Sequence, residues 1–563
     1  MPFRWLLRWA LVAALIGLAA VPPSRAATFE IINLDGPGEG FNDTTPTAPV
    51  GGNPGTTRGQ QRLNVFKAAG LIWGAILPSN VVIRVEARFD PLSPCDSLGG
   101  VLGSAGAVTV ASDFTGALQS NTWYSIALAN KLAGSDLAPT VNDITSRFNS
   151  DVDNGTCLGS SSWYYGYDHN EGDDNDLLAV VLHEFGHGLG FQTFTTLSTG
   201  AFLNNRPDIY ARNLFDHVAG LRWDQMNNTQ RKNSAIRTGE LVWNGSYVQG
   251  ASSRFLGPIA TFRVDSPAVI AGLKAVGTAE FGAPPPQPAI QASMVLVNDG
   301  TGTTSDACET IVNAAQVSGK IALIDRGTCT FVEKAQRAQA AGAVGVIIGN
   351  NTTGAPPGMS GNDPSITIPI LSITQTDATA IKGQLGVGVI ATMGTDPTHL
   401  AGADDVGRVR LYAPNPLESG SSVSHFDTAA EPNLLMEPFI NSSLTNVDLT
   451  QFAFVDIGWL GTLTGVEGTP TPIAARVQAT PNPFSTATAL RFQLTHGGKT
   501  SLEVFDARGA LVKRLPEVWR PAGPQAVRWD GTDANGRRAP AGVYFWRVRS
   551  EGESLTGRMV RVE

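Results

Sequence analysis

The chain has 563 residues, a formal net charge of −9, 16% charged residues and a sequence pI near 5.4. That is too long for one hydrophobic core; at about 150 residues per domain it divides into three or four units. The acidic balance, with no basic stripe, excludes a nucleic-acid partner, and 62 Gly with 35 Pro stay under the roughly 25–30% share that marks low-complexity chains.

The N-terminus reads as a signal peptide over residues 1–26. Arg4 and Arg8 precede an apolar run from Trp9 to Val21, and Ser24 and Ala26 fit the −3 and −1 positions of a cleavage site. The run is shorter than the ~20 apolar residues a membrane span needs. The expectation is therefore export and cleavage, no transmembrane anchor in the mature chain, and a secreted or cell-surface location.

The stretch "TRGQQRLNVFKAAGLIWGAIL" (57–77) carries apolar residues at helical spacing, and "NVVIRVEARF" (80–89) alternates as a strand does. "NTWYSIALANKLAG" (121–134) predicts a second helix. "DNDLLAVVLHEFGHGLG" (174–190) predicts a third, with Asp174 or Asp176 as N-cap and glycine at its end. The acidic run just before it, "DHNEGDDND" (168–176), could take Ca2+, although such runs more often form solvated loops that suit a helix N-terminus.

Past the proline-rich joint "EFGAPPPQPAI" (280–290), strand-like and helix-like segments alternate: "GKIALIDRG", "TFVEKAQRAQAAG", "AVGVIIGN", "ITIPILSI" and "TDATAIKGQL". This pattern predicts a small α/β module over 285–395. A linker follows at 463–475. Short alternating strands separated by turn signals then predict an all-β sandwich over 476–563.

The chemistry centres on "HEFGHGLGFQT" (183–193). On a helix His183 and His187 share a face, so both imidazoles can reach one Zn2+ ion, and Glu184 can reach the water which that ion activates. Gly190 then allows a sharp turn of the kind that leads to a third histidine three residues on. Thr193 stands there instead, and a hydroxyl is a poor zinc ligand beside imidazole. Of the remaining histidines, His425 stands out in "SHFDTAAEPNLLMEPFI" (424–440), followed by Met436. A downstream carboxylate such as Glu240 is the rival third donor. Cys95, Cys157, Cys308 and Cys329 make an even count that suits two disulfides in an exported chain, with three pairings open.

Three resemblances follow from these segments. "GKIALIDRGTCTFVEKAQRAQAAGAVGVIIGNN" with "ITIPILSI" resembles the protease-associated (PA) domain, a non-catalytic module of secreted peptidases and sorting receptors. It contains both Cys308 and Cys329, which implies the pairs Cys308–Cys329 and Cys95–Cys157. "TPNPFSTATALRFQL" and "WDGTDANGRRAPAGVYFWRV" resemble immunoglobulin-like C-terminal tails of secreted bacterial proteins, which implies attachment to a cell surface or to secretion machinery. Finally, 174–191 together with 424–440 resembles the leishmanolysin-type metzincins, in which a long insertion precedes the third ligand. The resemblance implies His183, His187 and His425 as ligands of one Zn2+, Glu184 as general base and Met436 in the methionine turn.

The implied architecture is multidomain. An α+β metzincin-like catalytic domain (27–284 and 396–462) is split by an α/β PA insert and followed by the immunoglobulin-like sandwich. The implied activity is that of a secreted zinc endopeptidase acting on proteins or peptides. The rivals are a gluzincin-like protease with a different third ligand and a surface adhesin on a protease scaffold.

Overall fold

The computed structural model describes residues 26–460 and 477–562, apart from 98, 156, 362, 440–443, 445–446, 495–497, 507–509, 522 and 551–552. The signal peptide (save Ala26) and the 463–475 linker lie outside the described residues. No described helix is long and apolar enough to cross a membrane.

The first unit is built on a four-stranded sheet. Phe29–Asn33, Ile83–Asp90 and Ile144–Asn149 run parallel, and Gly103–Ala107 closes one edge antiparallel. Ile83–Asp90 alternates buried and half-buried residues along its length, as a strand with one face on a core must. Helix Arg58–Ile76 begins at Thr57, whose hydroxyl accepts the Gln60 N–H at 3.3 Å.

Helix Leu177–Leu189 is buried at every position, as its nearly uncharged sequence requires. Of the two candidate caps, Asp176 takes the role, accepting the N–H groups of Leu178 at 2.8 Å and Ala179 at 3.3 Å. The helix packs closely on the sheet: a Cβ on Gly188 would lie 2.4 Å from Ile144. On the other side Phe66 meets Phe185 edge-on at 5.9 Å, and the Trp73 indole donates to the Leu182 carbonyl at 3.1 Å.

Residues 401–460 return to this same core. Leu411, Phe426, Leu434, Leu435, Met436 and Leu449 share its apolar cluster, and the Trp459 indole donates to the Leu189 carbonyl at 2.8 Å. The two halves are therefore one packed unit, although the chain leaves it in between.

What lies between is an eight-stranded mixed sheet. Ile290–Leu296, Ile321–Asp325, Gly345–Gly349 and Ile370–Ile373 run parallel at its centre. Gly345–Gly349 is buried throughout, the mark of a strand covered on both faces. Helices Phe331–Ala340 and Gln375–Gln384 follow two of these strands.

The sheet reaches beyond the expected insert of 285–395. Pro258–Ser266 pairs antiparallel with Ile390–Leu400, and Val276–Thr278 pairs with Ile370–Ile373. The sheet thus spans 258–400, and the proline-rich joint is a connection inside it. Cys308–Cys329 closes a loop in this sheet unit, and Cys95–Cys157 a loop in the first unit.

This geometry sets how the insert can be removed. The Ala401 N–H donates to the Gly257 carbonyl at 2.9 Å, so the two ends of the insert touch. Replacing 258–400 by a short linker should leave the first unit folded and give a soluble protein. Cutting 285–395 instead should strand Pro258–Ser266 without its partner and drive aggregation. Soluble yield and the circular dichroism of the two deletions check this.

The C-terminal unit is two antiparallel sheets, with strand orders 477–480, 488–494, 523–529 and 511–520, 498–506, 542–550, 553–561. Phe484, Trp529, Tyr544 and Trp546 fill the space between them, giving the expected all-β sandwich.

Candidate metal centre

Two helix positions and one loop position bring three imidazoles together. His183 and His187 stand one turn apart on Leu177–Leu189, and His425 arrives 238 positions after His187. All three are buried. Their Nε2 atoms lie 3.0 Å (183–187), 3.2 Å (187–425) and 3.2 Å (183–425) apart.

The other ring nitrogens explain why these contacts are not hydrogen bonds. His183 Nδ1 faces the Leu435 carbonyl at 2.7 Å, His187 Nδ1 the Phe191 carbonyl at 2.8 Å, and His425 Nδ1 the Ser421 carbonyl at 2.7 Å. A carbonyl oxygen can only accept, so each Nδ1 carries the proton and each Nε2 presents a lone pair. Three lone pairs pointed at one another repel unless a cation sits among them. Nitrogen ligands 2.0–2.1 Å from a tetrahedral ion would be roughly 3.3 Å apart, close to the spacing observed. The residues present fit a zinc ion.

The surroundings keep the ligands neutral. Burial, with His187 nearby, pushes His183 down to about 3. Burial pushes His187 down to about 4, and burial with both neighbours takes His425 well below the usual range. Burial pushes the Glu184 carboxyl up to about 8, opposed by the N–H of Ala105 on the edge strand. A cation among the imidazoles would favour its carboxylate form.

Two glycines shape the floor and the exit. A Cβ on Gly186 would lie 2.7 Å from the Met436 sulfur, so the small residue lets Met436 pack against the helix beside the ligands. Gly190 sits at φ +121, and a Cβ there would press on Ser125 and Ile457. After that turn Thr193 points elsewhere, donating through its hydroxyl to Asp208 at 2.8 Å.

Other sequence candidates stay apart from this cluster. Among the described residues, Glu240 does not join it; its carbonyl accepts the His217 N–H at 3.0 Å, and the His217 ring faces Asp404 at 3.2 Å. His399 faces Asp396 at 2.8 Å. The 168–176 run does not gather as a cation site among the described residues. Asp168 accepts from Tyr164 and Asn170, Asp174 from the Ser162 N–H, and Asp176 caps the helix.

His169 in that run does something different, facing Asp176 Oδ2 through Nδ1 at 2.5 Å. Burial works against its charged form, but Asp176, with Glu171 and Asp168 behind it, outweighs burial and raises its pKa above the ordinary 6.5. The stabilisation is fully present below the unfolded-state pKa and is lost as pH rises through the raised folded value. Wild-type protein should therefore lose Tm across that window, and His169→Gln should flatten the dependence. Thermal melts at pH 5.5 and 8.5 check it.

Sequence reading missed the groups that hold the turn at Leu434–Met436. Asp448 and Glu437 are buried, and they accept the N–H groups of Leu435 at 2.5 Å and Leu434 at 2.6 Å. The one local signal was Asp448 standing just ahead of an apolar helix.

Comparison with known proteins identifies two of the units. A family model for the PA domain matches residues 290–381, and one for the FlgD Ig-like domain matches 482–554. The chain contains a PA domain. Aminopeptidase YwaD of Bacillus subtilis is 41% identical over 92 residues, covering 16% of this chain and 18% of its own. The minor extracellular protease Vpr of the same organism is 30% identical over 97 residues, covering 17% and 11%. Among solved structures, BSAP, a zinc aminopeptidase from Bacillus subtilis, overlaps 26% of this chain and 36% of its own at 26% identity and a TM-score of 0.19. FlgD from P. aeruginosa overlaps 14% and 60% at 21% identity and a TM-score of 0.12. The chain spans less than a fifth of the length of these two curated relatives.

Proposed function

We propose that this protein is an exported zinc-dependent endopeptidase of leishmanolysin-like metzincin type, with His183, His187 and His425 as ligands and Glu184 as general base. The observation that carries the reading is the convergence of three Nε2 lone pairs, each fixed by a protonated Nδ1 on a backbone carbonyl. A bound zinc would supply Lewis acidity at an open fourth position, bringing a water's pKa to about 7 and polarising a peptide carbonyl.

The chain's own groups do the rest. The three carbonyls hold the imidazoles in one tautomer and orientation. Glu184, steadied by the Ala105 N–H, takes the proton of the attacking water and returns it to the leaving amine. The burial of Glu184 and the histidines strengthens these interactions by keeping bulk water out.

The PA insert contributes none of these groups, which suits a role in substrate access. The C-terminal sandwich suits attachment to a cell surface or to secretion machinery. A second reading, aminopeptidase, is favoured by the names of relatives that share a stretch of about PA length. Cleavage of casein and of an aminoacyl anilide, each with and without a chelator, separates the two. Chelator-sensitive internal cleavage of casein supports the endopeptidase, and anilide hydrolysis alone supports the aminopeptidase. Neither activity in zinc-loaded protein would favour an adhesin.

A further inference from the structure

We infer that Asp448 is a positioning residue of the metal centre, acting on His183 through the backbone of Leu435; this rests on the zinc reading above. Leu435 faces two ways. Its carbonyl accepts the His183 Nδ1–H at 2.7 Å, and its N–H donates to Asp448 Oδ2 at 2.5 Å. The next residue extends the link, because the Met436 carbonyl accepts the Phe426 N–H at 2.8 Å, one position from His425. A single turn therefore sets the placement of two of the three ligands, and Asp448 holds that turn.

The carboxylate is itself tied to a fixed frame. Asp448 Oδ1 accepts the Thr450 N–H at 3.0 Å and the Thr450 hydroxyl at 3.1 Å, at the start of helix Thr450–Ile457. That helix packs Phe454 at 5.1 Å on Trp73 of helix Arg58–Ile76, whose indole donates to the Leu182 carbonyl of the histidine-bearing helix, and just past its end the Trp459 indole donates to the Leu189 carbonyl. Asp448 thus ties the turn at Leu435 to a helix held, through Trp73 and Trp459, against the helix that carries His183 and His187. Its backbone sits at φ +33, a conformation costly for a residue other than glycine, and the residue is 6% exposed.

The donor pattern says why a carboxylate is needed. N–H or O–H groups face both oxygens, so an asparagine must turn its own NH2 against one of them. Asp448→Asn should weaken zinc binding by about 10–100-fold, as expected when an outer-shell partner of a ligand is lost.

The control is Asp456→Asn. Asp456 is a carboxylate on the same helix that accepts from the Trp243 indole and from the N–H groups of Tyr247 and Val248, with no link to the turn. It should lower Tm and leave zinc affinity unchanged. Affinity is read by chelator competition on protein shown folded by circular dichroism, and ligand geometry by the visible spectrum of the cobalt form. Weaker zinc and an altered cobalt spectrum in Asp448→Asn, but not in Asp456→Asn, support the role. Wild-type affinity and spectrum in Asp448→Asn overturn it. If that variant does not fold, Thr450→Val, which removes one donor to the carboxylate, decides on the same two readouts. His183→Ala with undiminished zinc binding would instead bring down the zinc reading itself.

Discussion

His425→Ala should lose most of its zinc and nearly all peptidase activity, while His217→Ala should keep both. His425 is the proposed third ligand, which the local motif does not provide, since Gly190 turns the chain away and Thr193 is committed to Asp208. Removing it leaves two imidazoles from one helix and a buried gap where the third Nε2 stood. The affinity loss should exceed the ~10–100-fold of an outer-shell change, because a bond to the ion itself is removed. His217 is the informative contrast: it lies in the same unit and follows the same glycine, but its ring faces Asp404. Zinc content by mass spectrometry and hydrolysis of a quenched peptide measure both variants.

Glu184→Gln separates binding from chemistry. The glutamine oxygen can still accept the Ala105 N–H, and none of the three imidazoles is touched, so fold and zinc content should match wild type. The amide has no basic site for the water's proton, and turnover should fall by the ~10²–10⁴ typical of a lost general base. Unchanged turnover with zinc bound would remove Glu184 from the mechanism.

The parts of this site legible in the sequence were those whose spacing is local. His183, Glu184 and His187 lie within one helical turn or so, and the apolar run around them announces a buried helix. The strand at 83–90 and the helix at 58–76 were legible for the same reason, their patterns being complete within a few residues. His425 was different: no periodicity connects positions 238 apart, and only the likeness of "SHFDTAAEPNLLMEP" to a family pattern singled it out. The reach of the sheet beyond 285–395 was hidden on the same ground. The strand "PIATFRVDS" pairs with a partner that begins more than a hundred residues later, so the sequence does not say to which sheet it belongs. Asp448 was hidden more deeply, because it reaches His183 through backbone N–H and C=O groups that every residue carries. The acidic run 168–176 reads more readily as a solvated loop at a helix N-terminus than as a Ca2+ site. Its composition also suits a cation, but Asp176 caps the helix and faces His169, Asp174 accepts the Ser162 N–H, and Asp168 accepts from Tyr164 and Asn170.

The most direct test is anomalous diffraction at the zinc edge from crystals of the full-length protein. The account predicts one peak, 2.0–2.1 Å from the Nε2 atoms of His183, His187 and His425, with Met436 packed beneath the imidazoles and Glu184 outside the coordination shell. A peak bound to His183 and His187 but completed by another side chain, with His425 more than about 4 Å away, would contradict it.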